Sequence, residues 1–126
     1  NINDSGVLEH AMYNPNATTE HITQILDKGD EFTFAKRAAI RHKNASEDHI
    51  TKALDDTDEY VRAGALSHPK VNASHITKAM DDPEPWIVHK AILNKAATKE
   101  HFLKGLEHSH EGVREESASR LAELSN

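Results

Sequence analysis

The sequence has 126 residues, the length of one domain, with 37% hydrophobic and 29% charged residues and only three Phe, two Tyr and one Trp. Its 21 acidic against 15 basic residues give a formal charge of −6, the wrong sign for general attraction to nucleic acid or an anionic membrane; the lack of cysteine excludes disulfides, thiolate chemistry and cysteine-ligated zinc or iron–sulfur sites. So polar a composition suits an elongated stack of helices, with more surface per residue, better than a compact globule.

The first predicted element is a half repeat over residues 4–14. Asp4 stands at the start of its helix, Val7, Ala11 and Met12 form its apolar stripe, and Pro15 stops it. Residues 15–42 make the first full repeat of two helices. Thr18 is placed to cap the first, because a short side-chain oxygen accepts from an otherwise unpaired amide of the opening turn. Ile22, Ile25 and Leu26 then recur at helical spacing. A loop, Lys28-Gly29-Asp30-Glu31-Phe32-Thr33, is two residues longer than its later counterparts and leads to the stripe Ala35, Ala39 and Ile40.

The order returns in residues 43–68. Ser46 is the cap, Ile50, Ala53 and Leu54 the first stripe, Asp55-Asp56 the stop, Asp58 the second start, and Val61, Ala65 and Leu66 the second stripe. Pro69 ends that helix. Residues 69–94 repeat it with Asn72, then Ile76, Ala79 and Met80, then Asp81-Asp82. Glu84 precedes Pro85, which stands where a missing amide costs nothing, and Ile87, Ala91 and Ile92 follow. Residues 95–121 carry Thr98, Phe102, Leu106, Val113 and Ala118, and a polar cap over 118–126 runs on through Leu121 and Leu124.

His-Ile-Thr marks the register. It occurs at His21-Ile22-Thr23, His49-Ile50-Thr51 and His75-Ile76-Thr77, with a weaker His101-Phe102-Leu103, at steps of 28, 26 and 26 residues. Helices of about 8 to 11 residues are marginal alone, so neighbours must stabilise them. Small residues at Ala53, Ala65, Ala79, Ala91 and Gly105 suit close approach between helices. The expected fold is all-α: a solenoid of about four 26-residue two-helix repeats plus an N-terminal half repeat, in a single domain over residues 1–126.

The pattern Asn14-Pro15-Asn16-Ala17-Thr18 with Glu20-His21-Ile22, and later Asp55-Asp56 with Glu59-Tyr60-Val61-Arg62-Ala63 and Ala65-Leu66, resembles two related families. One is the leucine-rich repeat variant; the other is the short HEAT-like repeat of phycobilisome-lyase type. The resemblance spans residues 4–121 and implies a right-handed α-α superhelix of paired short helices, some of 3₁₀ type. It implies no particular activity, since such repeats mostly serve protein interaction. Some variant-repeat proteins carry an iron–sulfur cluster, which this cysteine-free chain lacks the thiolates to hold. Some HEAT-like proteins act on alkylated DNA, but their basic groove is not evident here.

Ten histidines suggest a metal. Yet His21, His49, His75 and His101 fall one per repeat, about a helix-packing distance of 10 Å apart, whereas zinc ligands sit about 2 Å from one ion. Each is the third helical residue after its cap, where Glu or Gln completes a capping box, and a neutral imidazole accepts a similar bond. Protonating all ten would take the formal charge from −6 to +4 in mild acid.

Phe34, Tyr60 and Trp86 form a second column, with Gly112 in the last repeat; such residues either seal the seam between repeats or form a binding stripe. Trp86 is the first candidate contact, and Arg37 and Arg62 complete the expected interaction surface. Two basic rows, Lys52, Lys78 and Lys104 (with Gln24) and Lys36, Arg62 and Arg114, face Asp55, Asp56, Asp81, Asp82 and Glu107, predicting a solvated face with inter-repeat ion pairs. Lys36, Arg37, Arg41, His42 and Lys43 are the densest basic patch. The sequons at Asn16, Asn44 and Asn72 coincide with turns and caps and read as structural.

No catalytic triad order, phosphate loop or spaced metal motif is present, and no catalytic, cofactor or metal residue is assigned. No apolar run has membrane-spanning length and no signal-peptide core is visible, so the expected setting is cytoplasmic. The expected function is a non-enzymatic module binding an unknown protein partner, as a monomer or within a larger assembly. The alternatives are nucleic-acid binding by analogy with HEAT-like DNA proteins and an accessory role in cofactor or chromophore handling.

Overall fold

Polar caps decide where each short helix begins. In the computed structural model, which describes residues 5–125, Thr18, Ser46 and Asn72 take extended backbone and accept through their side chains from the amide of the histidine three residues on. Asp58 does the same for Val61 at 2.9 Å. Asp4, expected to begin the first helix, lies outside the described residues. Among those residues there are nine α-helices, one 3₁₀ turn and no strand.

Two compact units are distinguished, Asn1–Val71 and Asn72–Asn126, divided immediately before the Asn72 cap. The first holds α1 (Ser5–Ala11), α2 (Thr19–Leu26), α3 (Thr33–Arg41), α4 (Glu47–Ala53) and α5 (Glu59–Leu66). Here α1 packs on α3, α2 on α3 and α4, α3 on α5, and α4 on α5. The longer loop forms a 3₁₀ turn, Asp30–Phe32, closed by the Thr33 hydroxyl donating to the Asp30 carbonyl at 2.7 Å.

The second unit holds α6 (Ala73–Ala79), α7 (Pro85–Leu93), α8 (Lys99–Gly105) and α9 (Glu111–Leu124). There α6 packs on α7, α7 on α8 and α9, and α8 on α9. Helix α9 runs through Leu121 to Leu124, as the extended cap was expected to do, and Leu124 stays exposed.

The cores follow the predicted stripes at most positions. Ile22, Ile50, Ile76, Val61, Ile87 and Val113 are completely buried. Four positions differ, one of them Leu106, which is 38% exposed where its equivalents Leu26, Leu54 and Met80 are buried, since no further first helix follows α8 among the described residues. Val7 is 49% exposed and Ala11 is exposed, although their register equivalents Ala35 and Ala39, Val61 and Ala65, and Ile87 and Ala91 are wholly buried. The reason is coverage: α3, α5 and α7 each lie against the helix that precedes them, and α1 has no such helix among the described residues. Ala118 is also exposed, and Ser117 is buried in its place. Its equivalent Ile40 faces Gly64 of the following second helix, whereas no helix follows α9 among the described residues.

Ser117 explains a local exchange. Where two earlier pairs have Ala53 with Ala65 and Ala79 with Ala91, the last has Gly105 with Ser117. A Cβ on Gly105 would collide with Ser117 Oγ and lie 2.9 Å from Ser117 Cβ. The Ser117 hydroxyl donates back to the Val113 carbonyl at 2.8 Å, so the larger residue is satisfied inside its own helix. Replacing Gly105 by Ala should therefore lower stability by about 1–3 kcal/mol through overpacking, despite alanine's helix-propensity advantage of about 1 kcal/mol. Urea unfolding checks this, and Gly105→Ala combined with Ser117→Gly should recover most of the loss.

Candidate functional site

The regular histidines are connectors. In each case Nδ1 accepts the backbone N–H of the cap residue: Thr18 to His21 at 3.1 Å, Ser46 to His49 at 2.9 Å, Asn72 to His75 at 3.0 Å and Thr98 to His101 at 2.9 Å. With Nδ1 accepting, the ring hydrogen belongs on Nε2. In the first unit His49 Nε2 meets Thr23 Oγ1 at 2.7 Å, and in the second His101 Nε2 meets Thr77 Oγ1 at 2.8 Å. Both threonine hydroxyls already donate to their own helix, to the carbonyls of Thr19 and Ala73, so each oxygen accepts from the imidazole. One ring thus caps its own helix and ties it to the preceding first helix. Among the described residues no three His, Asp or Glu side chains gather as a metal set.

A further pair of histidines escaped the sequence reading. His42 Nδ1 accepts the Asn44 amide at 3.0 Å and its Nε2 donates to the Asn14 carbonyl at 2.8 Å. His68 repeats this with the Lys70 amide at 3.1 Å and the His42 carbonyl at 2.9 Å. Their 26-residue spacing, and the Asn14 and Asn94 side chains that accept from amides two residues on, were the available signal. Asn44 Nδ2 donates to the Ala17 carbonyl at 2.8 Å, which gives that sequon its structural role.

The expected basic surface is largely neutralised. Lys36 is buried with Asp56 at 2.9 Å. Arg62, expected on the exposed interaction surface, is only 8% exposed, because its guanidinium donates to the Asp56 and Thr57 carbonyls and clamps the loop before α5. Arg114 clamps the His108 and Ser109 carbonyls likewise. Lys52 pairs with Asp27 and Lys104 with Asp81, exposed contacts of the ladder type expected and each worth under about 1 kcal/mol. Of the dense patch, Lys36 and His42 are buried and Arg37 is paired with Asp58 at the surface, leaving Arg41 and Lys43 exposed.

Arg37 forms the centre of a surface cluster in the first unit. Its Nε and one terminal nitrogen donate to the two Asp58 oxygens at 2.8 and 2.9 Å. Its guanidinium carbon lies 5.0 Å from the Phe34 ring centroid and 4.7 Å from that of Tyr60. Hydrogen bonding to Arg37, more than the Val61 amide, holds the Asp58 carboxyl below the usual carboxylate range, and the same bond raises Arg37. Phe34 is 60% and Tyr60 49% exposed. Beside them a cleft of about 360 Å³ is lined by Phe34, Arg37, Arg41 and Tyr13, the last also missed by the sequence reading. In the second unit Trp86 is 41% exposed on the first turn of α7.

No family model, curated protein or solved structure matches this chain. Among the described residues no helix is long and apolar enough to cross a membrane.

Burial lowers the pKa of His49 and of His101 from the ordinary 6.5. The expected swing from −6 to +4 is therefore incomplete in mild acid while the fold is intact, because these two rings resist charging. Their stabilising effect is complete above the unfolded value near 6.5 and is lost as pH falls through the lower folded values, since the unfolded chain takes up the protons first. The urea midpoint should thus drop between about pH 7.5 and pH 5. Gln at positions 49 and 101 should flatten that slope while costing about 1 kcal/mol each at neutral pH.

Proposed function

We propose that the chain is a non-enzymatic, cytoplasmic binding module, a short right-handed solenoid that engages a protein partner through exposed aromatic residues: Phe34 and Tyr60 about Arg37 in the first unit, and Trp86 in the second. The observation that supports this most is the fixed Arg37 between two exposed aromatic rings. A guanidinium held by two bonds to Asp58 loses little further freedom on association, so aromatic faces presented around it can serve as interface anchors. Arg62 supports the first-unit cluster by fixing the loop that carries Asp58.

Nucleic acid is the weaker reading. A phosphate-binding patch needs free cations, and here Asp56 and Asp58 neutralise Lys36 and Arg37 on a chain of formal charge −6.

Affinity capture from the native source tests the reading. A protein recovered with the wild-type chain should be lost at least about tenfold with Trp86→Ala or Phe34→Ala, as expected of interface anchors. Melting temperatures should change little, because both side chains are substantially exposed. Equal recovery with both variants would overturn the assignment of these residues, and retention on DNA that falls with salt would favour the alternative.

A further inference from the structure

The groove between α1 and α2 lies away from the Arg37 cluster in its chemistry and has a defined shape. It holds about 650 Å³ and is lined by Leu8, Ala11, Met12, Ile25, Gln24 and His21, among others. Its walls are a second-type helix, α1, and the first-type helix that follows it, α2. Elsewhere in the same unit that setting is filled: α2 itself packs against the second-type helix α3 and the next first-type helix α4. The groove is therefore the counterpart of the seat that α2 occupies.

Two further observations describe what fits it. Ala11, which lines the groove and whose equivalents Ala39, Ala65 and Ala91 are wholly buried, is exposed. His21 Nδ1 is used by its own cap, while His21 Nε2 has no partner among the described residues; the matching atoms of His49 and His101 are each taken by a threonine of the preceding first helix. The vacant donor and the apolar floor thus stand in the same spatial order as an occupied joint.

We infer that this groove docks a short amphipathic helix of a partner protein. That helix has apolar residues at i, i+3 and i+4 and a threonine or serine immediately after the first of them, whose hydroxyl accepts from His21 Nε2. The chain's own first helices show the pattern in Ile22-Thr23, Ile25 and Leu26 and in Ile50-Thr51, Ala53 and Leu54. A second copy of this chain is a poor occupant. Its last first-type helix, α8, carries Leu103 at the threonine position and offers His21 no hydroxyl there.

The probe is a synthetic peptide with the sequence of residues 46–56, held helical by a lactam between the Asp48 and Lys52 side chains, titrated into the isotope-labelled full chain. Saturable shifts are expected at the Leu8, Ala11, Met12 and Ile25 amides and at the His21 ring. The same peptide with Thr51→Val should bind about fivefold more weakly, the scale of one hydrogen bond. Ala11→Arg in the protein should weaken binding at least about tenfold by placing a charge in the apolar floor. Its melting temperature should hold, since Ala11 is exposed.

No saturable shift at about millimolar peptide, shifts confined to other residues, or equal binding of the valine peptide would each overturn the inference. So would self-association of the wild-type chain that Ala11→Arg abolishes and the peptide does not displace, which assigns the groove to a second copy. Protection of these amides by residues preceding Asn1 in a longer chain would likewise overturn it. Capture through Phe34 and Trp86 is independent of the outcome, because neither lines the groove.

Discussion

Within each unit, a joint between helix pairs depends on an imidazole that accepts at one nitrogen and donates at the other. At His49 and His101 the accepting Nδ1 satisfies the cap amide of its own helix and the donating Nε2 reaches a threonine of the preceding first helix. His42 and His68 do the same with a turn amide and a preceding carbonyl. A glutamate at the third helical position would complete the cap but has no hydrogen to donate, so it would fix the helix without joining it to a neighbour. A glutamine has both groups, on a longer chain with more rotamers to order. The stiff ring sets the direction of both bonds together. Among the described residues no buried side-chain nitrogen or oxygen lacks a partner, which is the condition for placing so many polar groups against a thin core.

A connector with a direction makes the two ends of a series unlike. His49 and His101 each take their acceptor from the preceding first helix, at the threonine two residues after that helix's own histidine. Among the described residues His21 Nε2 has no such acceptor, and α8 carries Leu103 where the other first helices carry threonine. The second-helix stripes follow the same logic. Val7 and Ala11 are exposed because nothing described precedes α1, and Ala118 because nothing described follows α9. Helix α9 runs for 14 residues, and only Val113 and Ser117 of it are buried.

The caps, the stripes, the stops and the capping histidines were legible because each depends on residues within one turn of itself. Thr18 with His21, or Asp58 with Val61, is a local relation that spacing displays directly. What spacing does not display is which neighbour covers a position. Val7 and Val61 share a register and differ only in what lies over them. Arg62 stands in a basic row and Arg37 in the dense basic patch, yet one turns back to clamp its own loop and the other reaches 21 residues forward to Asp58. His42 looks like part of a charged patch in the sequence because its two partners are a turn amide and a distant carbonyl, neither of which has a side-chain signature.

The exposed aromatic residues illustrate how such a chain gains surface without enlarging its core. Phe34, Tyr60 and Trp86 each stand one residue before a wholly buried position, Ala35, Val61 or Ile87, and a helix turns successive residues by about 100°, so none can point straight into the core with its neighbour. A large ring there must lie along the rim. In the first unit Arg37 converts that constraint into a fixed arrangement: it leaves the same helix as Phe34, binds the carboxylate that caps α5, and passes beside Tyr60 on the first turn of α5. The cluster thus draws on two sequence repeats at once. Asp58 has two duties within it, starting α5 and orienting Arg37, so the helix start and the rim are set by one side chain. A change in either helix would be felt at the rim of the other.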